Sequence, residues 1–113
     1  RAYVGSDVVL AEGAIVCPGA VITTNVKLGA HAQMHVNSIV GHDCVIGDFA
    51  TISPGAVISG NNKIEDRVYF GSNSSSKQGI EITSDVTVGL NAGVVSDLAE
   101  EGVYVGTPAK KIK

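Results

Sequence analysis

Residues 40–57 read VGHDCVIGDFATISPGAV, and the spacing of their aliphatic side chains decides the fold. Val40, Ile46 and Ile52 fall six residues apart. Extending that step gives Val4, Leu10, Val16, Ile22, Leu28 and Met34 upstream, then Ile58, Ile64 and Phe70 downstream. Ser76 interrupts the series, and Ile82, Val88 and Val94 resume it in the same phase. A chain that is 44% hydrophobic would fill fewer than half of such positions by chance. Four residues after a beat the side chain is usually small or aliphatic, as at Ala14, Ala20, Val26, Ala32, Ser38, Cys44 and Ala50.

A period of six matches neither the 3.6 residues of a helical turn nor the two-residue alternation of a free-standing strand. It fits a short strand plus a turn, repeated along a coil, and hexapeptide repeats are a β-helix signature. Neighbouring coils then stack at the ordinary strand spacing of about 4.8 Å. Small, stacked inward side chains account for an aromatic content of only 4% with no Trp. Pro, Asn and Gly between the beats supply the turns.

The repeats resemble those of the hexapeptide-repeat acyltransferases, whose fold is a left-handed parallel β-helix with three hexapeptides per triangular coil. That resemblance implies eighteen residues per circuit, with coils at 4–21, 22–39, 40–57, 58–75 and 76–93. The expectation is therefore an all-β domain over residues 1–97 with about five coils. Residues 98–113, LAEEGVYVGTPAKKIK, are expected to form a closing tail. Tyr104, Val105 and Pro108 would lie against the last coil and cover its open edge.

Bulk properties narrow the function classes. The 113 residues suit one domain, and a net charge of −3 with no long basic run argues against a nucleic-acid partner. No stretch approaches the roughly 18 apolar residues of a membrane span. Cys17 and Cys44 form neither a CxxC motif nor a disulfide framework, so a reducing, cytoplasmic setting is expected. The chain opens on Arg1 with no signal-peptide pattern after it. A trimmed boundary, with an upstream domain missing, is the expectation.

Inside the regular repeat, His42 and Asp43 stand out as a titratable pair. With eighteen residues per coil, the His42 column reads Thr24, His42, Gly60 and Gln78. Glycine beneath the imidazole leaves space and a backbone N–H close to it. A base beside a free peptide N–H is the minimum equipment for acyl transfer, one taking a proton and the other receiving oxyanion charge. Asp43 could orient the ring or raise its basicity.

The stretches GHDCVIGDF (41–49) and GVYVGTPAKKIK (102–113) resemble the bacterial sugar acetyltransferases that include sialic acid O-acetyltransferases and UDP-4-amino-sugar N-acetyltransferases. The resemblance implies acetyl-CoA as donor, His42 as general base, Asp43 as its partner and Gly60 N–H as a donor to the thioester oxygen. It places further acetyl-CoA contacts at Thr51, Ser72 and Leu90. Two of these depart from the family pattern: Thr51 stands where a second histidine is common, and Leu90 replaces a glycine. The resemblance also implies a homotrimer with active sites between subunits, and a sugar or nucleotide-sugar acceptor. Family members usually carry an N-terminal nucleotide-sugar-binding domain. The alternative is a noncatalytic β-helix scaffold or binding module.

Other residues invite readings that the repeat weakens. His31, His35 and His42 are separated by four and seven residues rather than by whole coils, so no metal site is expected. The phase of Cys44 turns it inward as a small hydrophobe rather than a nucleophile. GSNSSSK (71–77) keeps the phase on either side and reads as a polar coil turn, and Lys110, Lys111 and Lys113 as a solvated tail.

Overall fold

A computed structural model describes all 113 residues. The chain is a parallel β-solenoid with three faces and no helix. The first face stacks Tyr3–Val4, Val21–Ile22, Ile39–Val40, Val57–Ile58, Ser75–Ser76 and Gly93–Val94. The second stacks Val8–Leu10, Val26–Leu28, Val45–Ile46, Lys63–Ile64 and Glu81–Ile82. The third runs through Ile15–Val16, Gln33–Met34, Thr51–Ile52, Tyr69–Phe70, Val86–Val88 and Gly102–Val105, and ends on Lys110–Lys111. Through Val94 each strand pairs in parallel with the one eighteen residues away, as in Ile22↔Val40 and Met34↔Ile52.

The six-residue phase is the inward direction. From Ile22 to Val94 every beat is buried, and so is every residue four beyond it from Ala20 to Leu98. Only the first coil differs. Val4 and Leu10 are each 44% exposed, because no earlier coil stacks on them. Ser76 sits in the core column where an aliphatic residue is usual, and its Oγ accepts a hydrogen bond from Ser59 N–H at 3.1 Å.

The corners are built from left-handed residues three positions after a beat. Asp7, Asn25, Asp43 and Asn61 take φ of 54–60° at the corner between the first and second faces. Asn and Asp tolerate that conformation. At the corner between the second and third faces the same geometry is imposed on His31, Phe49 and Arg67. There stacking compensates: His31 lies on Phe49 with ring centroids 5.3 Å apart, and Arg67 Nε donates to Asp85 Oδ1 at 2.8 Å.

The solenoid has about six turns rather than the five expected. The expectation stopped at Val94 because the next beat falls on exposed Glu100. The phase does not end there; it slips by two. Leu98 bridges to Ile82 and Gly102–Tyr104 pair with Val86–Val88, both at a separation of sixteen. Leu98 and Tyr104 are themselves six apart and both are buried. The sixth turn is thus a coil with one corner shortened by two residues. Lys110–Lys111 then pairs antiparallel with Tyr104–Val105 and covers the last parallel edge.

Candidate active site

His42 lies at the corner between the first and second faces, two residues beyond buried Val40. Turn geometry projects its side chain outward, leaving it 49% exposed. Asp43 follows in the left-handed conformation, which brings its carboxylate back beside the ring. His42 Nδ1 and Asp43 Oδ2 are 2.9 Å apart, and Asn25 Nδ2, one coil away, donates to Asp43 Oδ1 at 2.6 Å. These bonds, Asn25 first and His42 second, hold the Asp43 carboxyl below its usual pKa. An ionised carboxylate can only accept, so Nδ1 donates, and in the neutral ring the lone pair then falls on Nε2.

Nε2 faces Gly60. A Cβ built on Gly60 would run into Nε2, Cε1 and Cδ2 of the imidazole, so glycine is what lets the ring lie over this coil. The Gly60 N–H donates to no acceptor in the chain. A base lone pair and a free peptide donor therefore share one small site. This leads to a direct expectation for Gly60→Ala. The ring is the mobile partner, so the variant should fold as well as the native protein while the imidazole is pushed aside. Any reaction that uses the ring at this position should slow on the order of 10²-fold, the usual consequence of misplacing a reacting group by about 1 Å. Rate and thermal midpoint measured together check this; an unchanged rate would show that the ring's position over Gly60 is immaterial.

The three corners differ in how they treat the peptide N–H two residues after each beat. At the corner between the second and third faces a side chain caps it in three coils: Ala30 N–H donates to Asp48 Oδ1, Asp48 N–H to Asp66 Oδ1, and Asp66 N–H to Ser84 Oγ. At the other two corners the equivalent N–H groups, including those of Gly60, Ser72 and Leu90, are left open. Such open donors suit an extended polar ligand lying along a corner.

The structure brings His42, Asp43 and Gly60 together. Ser72 and Leu90 share the corner between the third and first faces, a whole face away from His42 on the same chain. Thr51 lies on the third face, registered with Gln33 and Tyr69. His31, His35 and His42 occupy three different corners. Cys44 is buried, and burial pushes its thiol pKa up. Two shallow concavities of about 210 and 290 Å³ sit on the second face, around Glu65, Glu81 and Asp97 and around Val45, Lys63 and Ser84. Neither borders His42, as expected of a prism whose corners are convex. Residue-type reasoning missed Asn25; its signal was a separation of eighteen from Asp43.

A family model for bacterial transferase hexapeptides (six repeats) matches residues 25–60, the segment that carries His42, Asp43 and Gly60. Among solved structures, WeeI from Acinetobacter baumannii AYE is 34% identical over 98% of this chain, with a TM-score of 0.95. The acetyltransferase domain of PglB from Neisseria gonorrhoeae FA1090, in complex with acetyl coenzyme A, is 31% identical over 94% of the chain, with a TM-score of 0.62. PerB from Caulobacter crescentus, in complex with CoA and GDP-perosamine, shares the fold at 23% identity over 95% of the chain and a TM-score of 0.68. The chain spans 55% of the length of each of these proteins. A comparison with curated proteins found no match.

Proposed function

This chain belongs to the hexapeptide-repeat family of bacterial transferases, and on that premise we propose that it moves an acetyl group from acetyl-CoA to an amine or hydroxyl of a sugar. The observation that carries the reading is the His42 imidazole, proton-bearing at Nδ1 through Asp43 and open at Nε2 above the unpaired Gly60 N–H. The likeness to an acetyltransferase domain holding acetyl coenzyme A supports the donor. A nucleotide-linked or sialic-acid-type sugar is the proposed acceptor.

His42 Nε2 takes the proton as the acceptor nitrogen or oxygen bonds to the thioester carbon. The carbonyl oxygen gathers negative charge, which Gly60 N–H receives as a hydrogen-bond donor. The C–S bond then breaks, and the proton passes from His42 to the departing thiolate, releasing free CoA. No acyl-enzyme forms: the only thiol near His42 is the buried Cys44, which stays protonated. Holding both substrates in line supplies much of the remaining acceleration.

The proposed active unit is a homotrimer. Ligand sites want concavity, and one prism offers none at His42. Two prisms side by side make a groove with His42 of one chain facing the open Ser72 and Leu90 amides of its neighbour, with Thr51 as a further contact to the acetyl donor. The first face between those corners carries exposed Tyr3 and Ile39, flanked by exposed Val36 and Leu90. Cyclic closure would cover such a surface. Sedimentation should therefore give three times the 11.5 kDa protomer mass.

The test is release of CoA thiol on mixing the protein with acetyl-CoA and a panel of amino sugars and sialic acids, the native chain beside His42→Ala. Acceptor-dependent thiol release by the native chain alone supports the proposal. A noncatalytic scaffold would release none and show no heat of acetyl-CoA binding, and that pair of results would overturn it.

A further inference from the structure

The core of the solenoid is aliphatic except at a few positions, and three of those exceptions bond the backbone of Ser59 and Gly60, one on each of three consecutive peptide groups. Cys44, Asn62 and Ser76 are buried and surround Ser59–Gly60 from the inside. Cys44 Sγ donates to the Ser59 carbonyl at 3.1 Å. Ser76 Oγ accepts from Ser59 N–H at 3.1 Å, and Ser59 Oγ donates to the Ser76 carbonyl. Asn62 Nδ2 donates to the Gly60 carbonyl at 3.1 Å and to the Lys77 carbonyl at 3.0 Å. Asn62 Oδ1 has no partner, so this amide is present for what it donates.

The geometry matters because the Ser59 carbonyl and the Gly60 N–H belong to the same peptide group. In a trans peptide the C=O and N–H bonds point in opposite directions. A carbonyl drawn inward to the Cys44 thiol turns the N–H outward, to the side of the coil where His42 lies. We propose that Cys44, backed by Asn62 and Ser76, is a positioning residue: it fixes the Ser59–Gly60 peptide so that the Gly60 N–H is pre-aimed at the oxyanion. This rests on the transfer reaction proposed above. It also gives the thiol of the HDC stretch a role that neither nucleophilic chemistry nor packing assigns.

An aliphatic residue would fill the same space, as Val26 does one coil earlier in the same column. Cys44→Val therefore removes the donor while keeping the packing, and Cys44→Ser keeps a donor. The expected result is a fall in kcat of about three- to tenfold in Cys44→Val, the scale of one lost hydrogen bond. KM for acetyl-CoA and the pH profile should be unchanged, and Cys44→Ser should recover most of the rate. A merely structural role would lower the melting temperature in proportion and leave kcat of the folded fraction alone.

Gly60 amide resonances supply an arm independent of turnover. In Cys44→Val the Gly60 amide signal should shift and broaden as the peptide loses its anchor, and in Cys44→Ser it should stay close to native. A native kcat and a native Gly60 amide in Cys44→Val would overturn the inference while leaving the transfer reaction standing. Absence of transfer by the native chain would instead remove the reaction, and the amide signal would still report whether Cys44 orients the peptide.

Discussion

Replacing His42 by alanine is expected to lower kcat for acetyl transfer by about 10²–10⁴-fold, the range lost with a general base. The alanine variant should keep its fold, because the side chain is half exposed and packs into no part of the core. KM for acetyl-CoA should change little, since the open amides of Ser72 and Leu90 lie at another corner and are untouched. Added imidazole should restore part of the rate, since the removed ring leaves its space above Gly60 vacant. A smaller loss is expected from Asp43→Asn: an amide can still accept from Nδ1–H, but it no longer supports the positive charge that develops on the ring. If His42→Ala retains most of the native rate with native thermal stability, the imidazole is not the base.

Replacing Phe70 by alanine is expected to produce the largest loss of stability, about 3–5 kcal/mol. Phe70 is the bulkiest fully buried side chain, and it stacks between Ile52 and Val88 in the column of the third face. In many cores a neighbouring helix can settle into part of such a void. Here the coils above and below are held at strand spacing by backbone hydrogen bonds, including Ser53 N–H to Phe70 O and Gly71 N–H to Val88 O. The walls cannot close, so the cavity term should approach its full value. Urea unfolding at a fixed protomer concentration measures it, with Phe70→Leu as the conservative partner expected to lose under about 1.5 kcal/mol. An alanine variant within 1 kcal/mol of native would mean that this column relaxes far more than its hydrogen bonds permit.

Phe70 also shows how much of the fold was legible in advance. It falls on the six-residue beat, whereas Phe49, the other phenylalanine, falls three residues after one and is 58% exposed at a corner. Position in the repeat, not hydrophobicity, separates the two. The sixth turn was harder to read. Its beats at Leu98 and Tyr104 follow the same period, but a two-residue slip after Val94 takes them out of phase with everything before. A shortened corner has no signature in residue types, because the backbone absorbs it.

The candidate site divides along similar lines. His42, Asp43 and Gly60 were found by combining a sequence neighbour with a separation of eighteen, and the structure makes them one cluster. Asn25 carries the same separation from Asp43 and bonds its carboxylate. Cys44 reads as packing and Ser76 as an interruption of the pattern, and nothing in the repeat singles out Asn62. Only their convergence on Ser59 and Gly60 reveals a buried polar cradle.

By itself the sequence determined the period, the inward columns and the stacking of any two residues a whole coil apart. A strict repeat converts chain distance into spatial position. What only the tertiary structure decided was direction: which way a peptide dipole points, which corner amides find a cap, and how a shortened turn closes the prism. Those depend on which backbone N–H or C=O of an adjacent coil a side chain such as Asp48 or Cys44 meets, and since nearly every residue carries both groups, the side chain's identity does not name its partner.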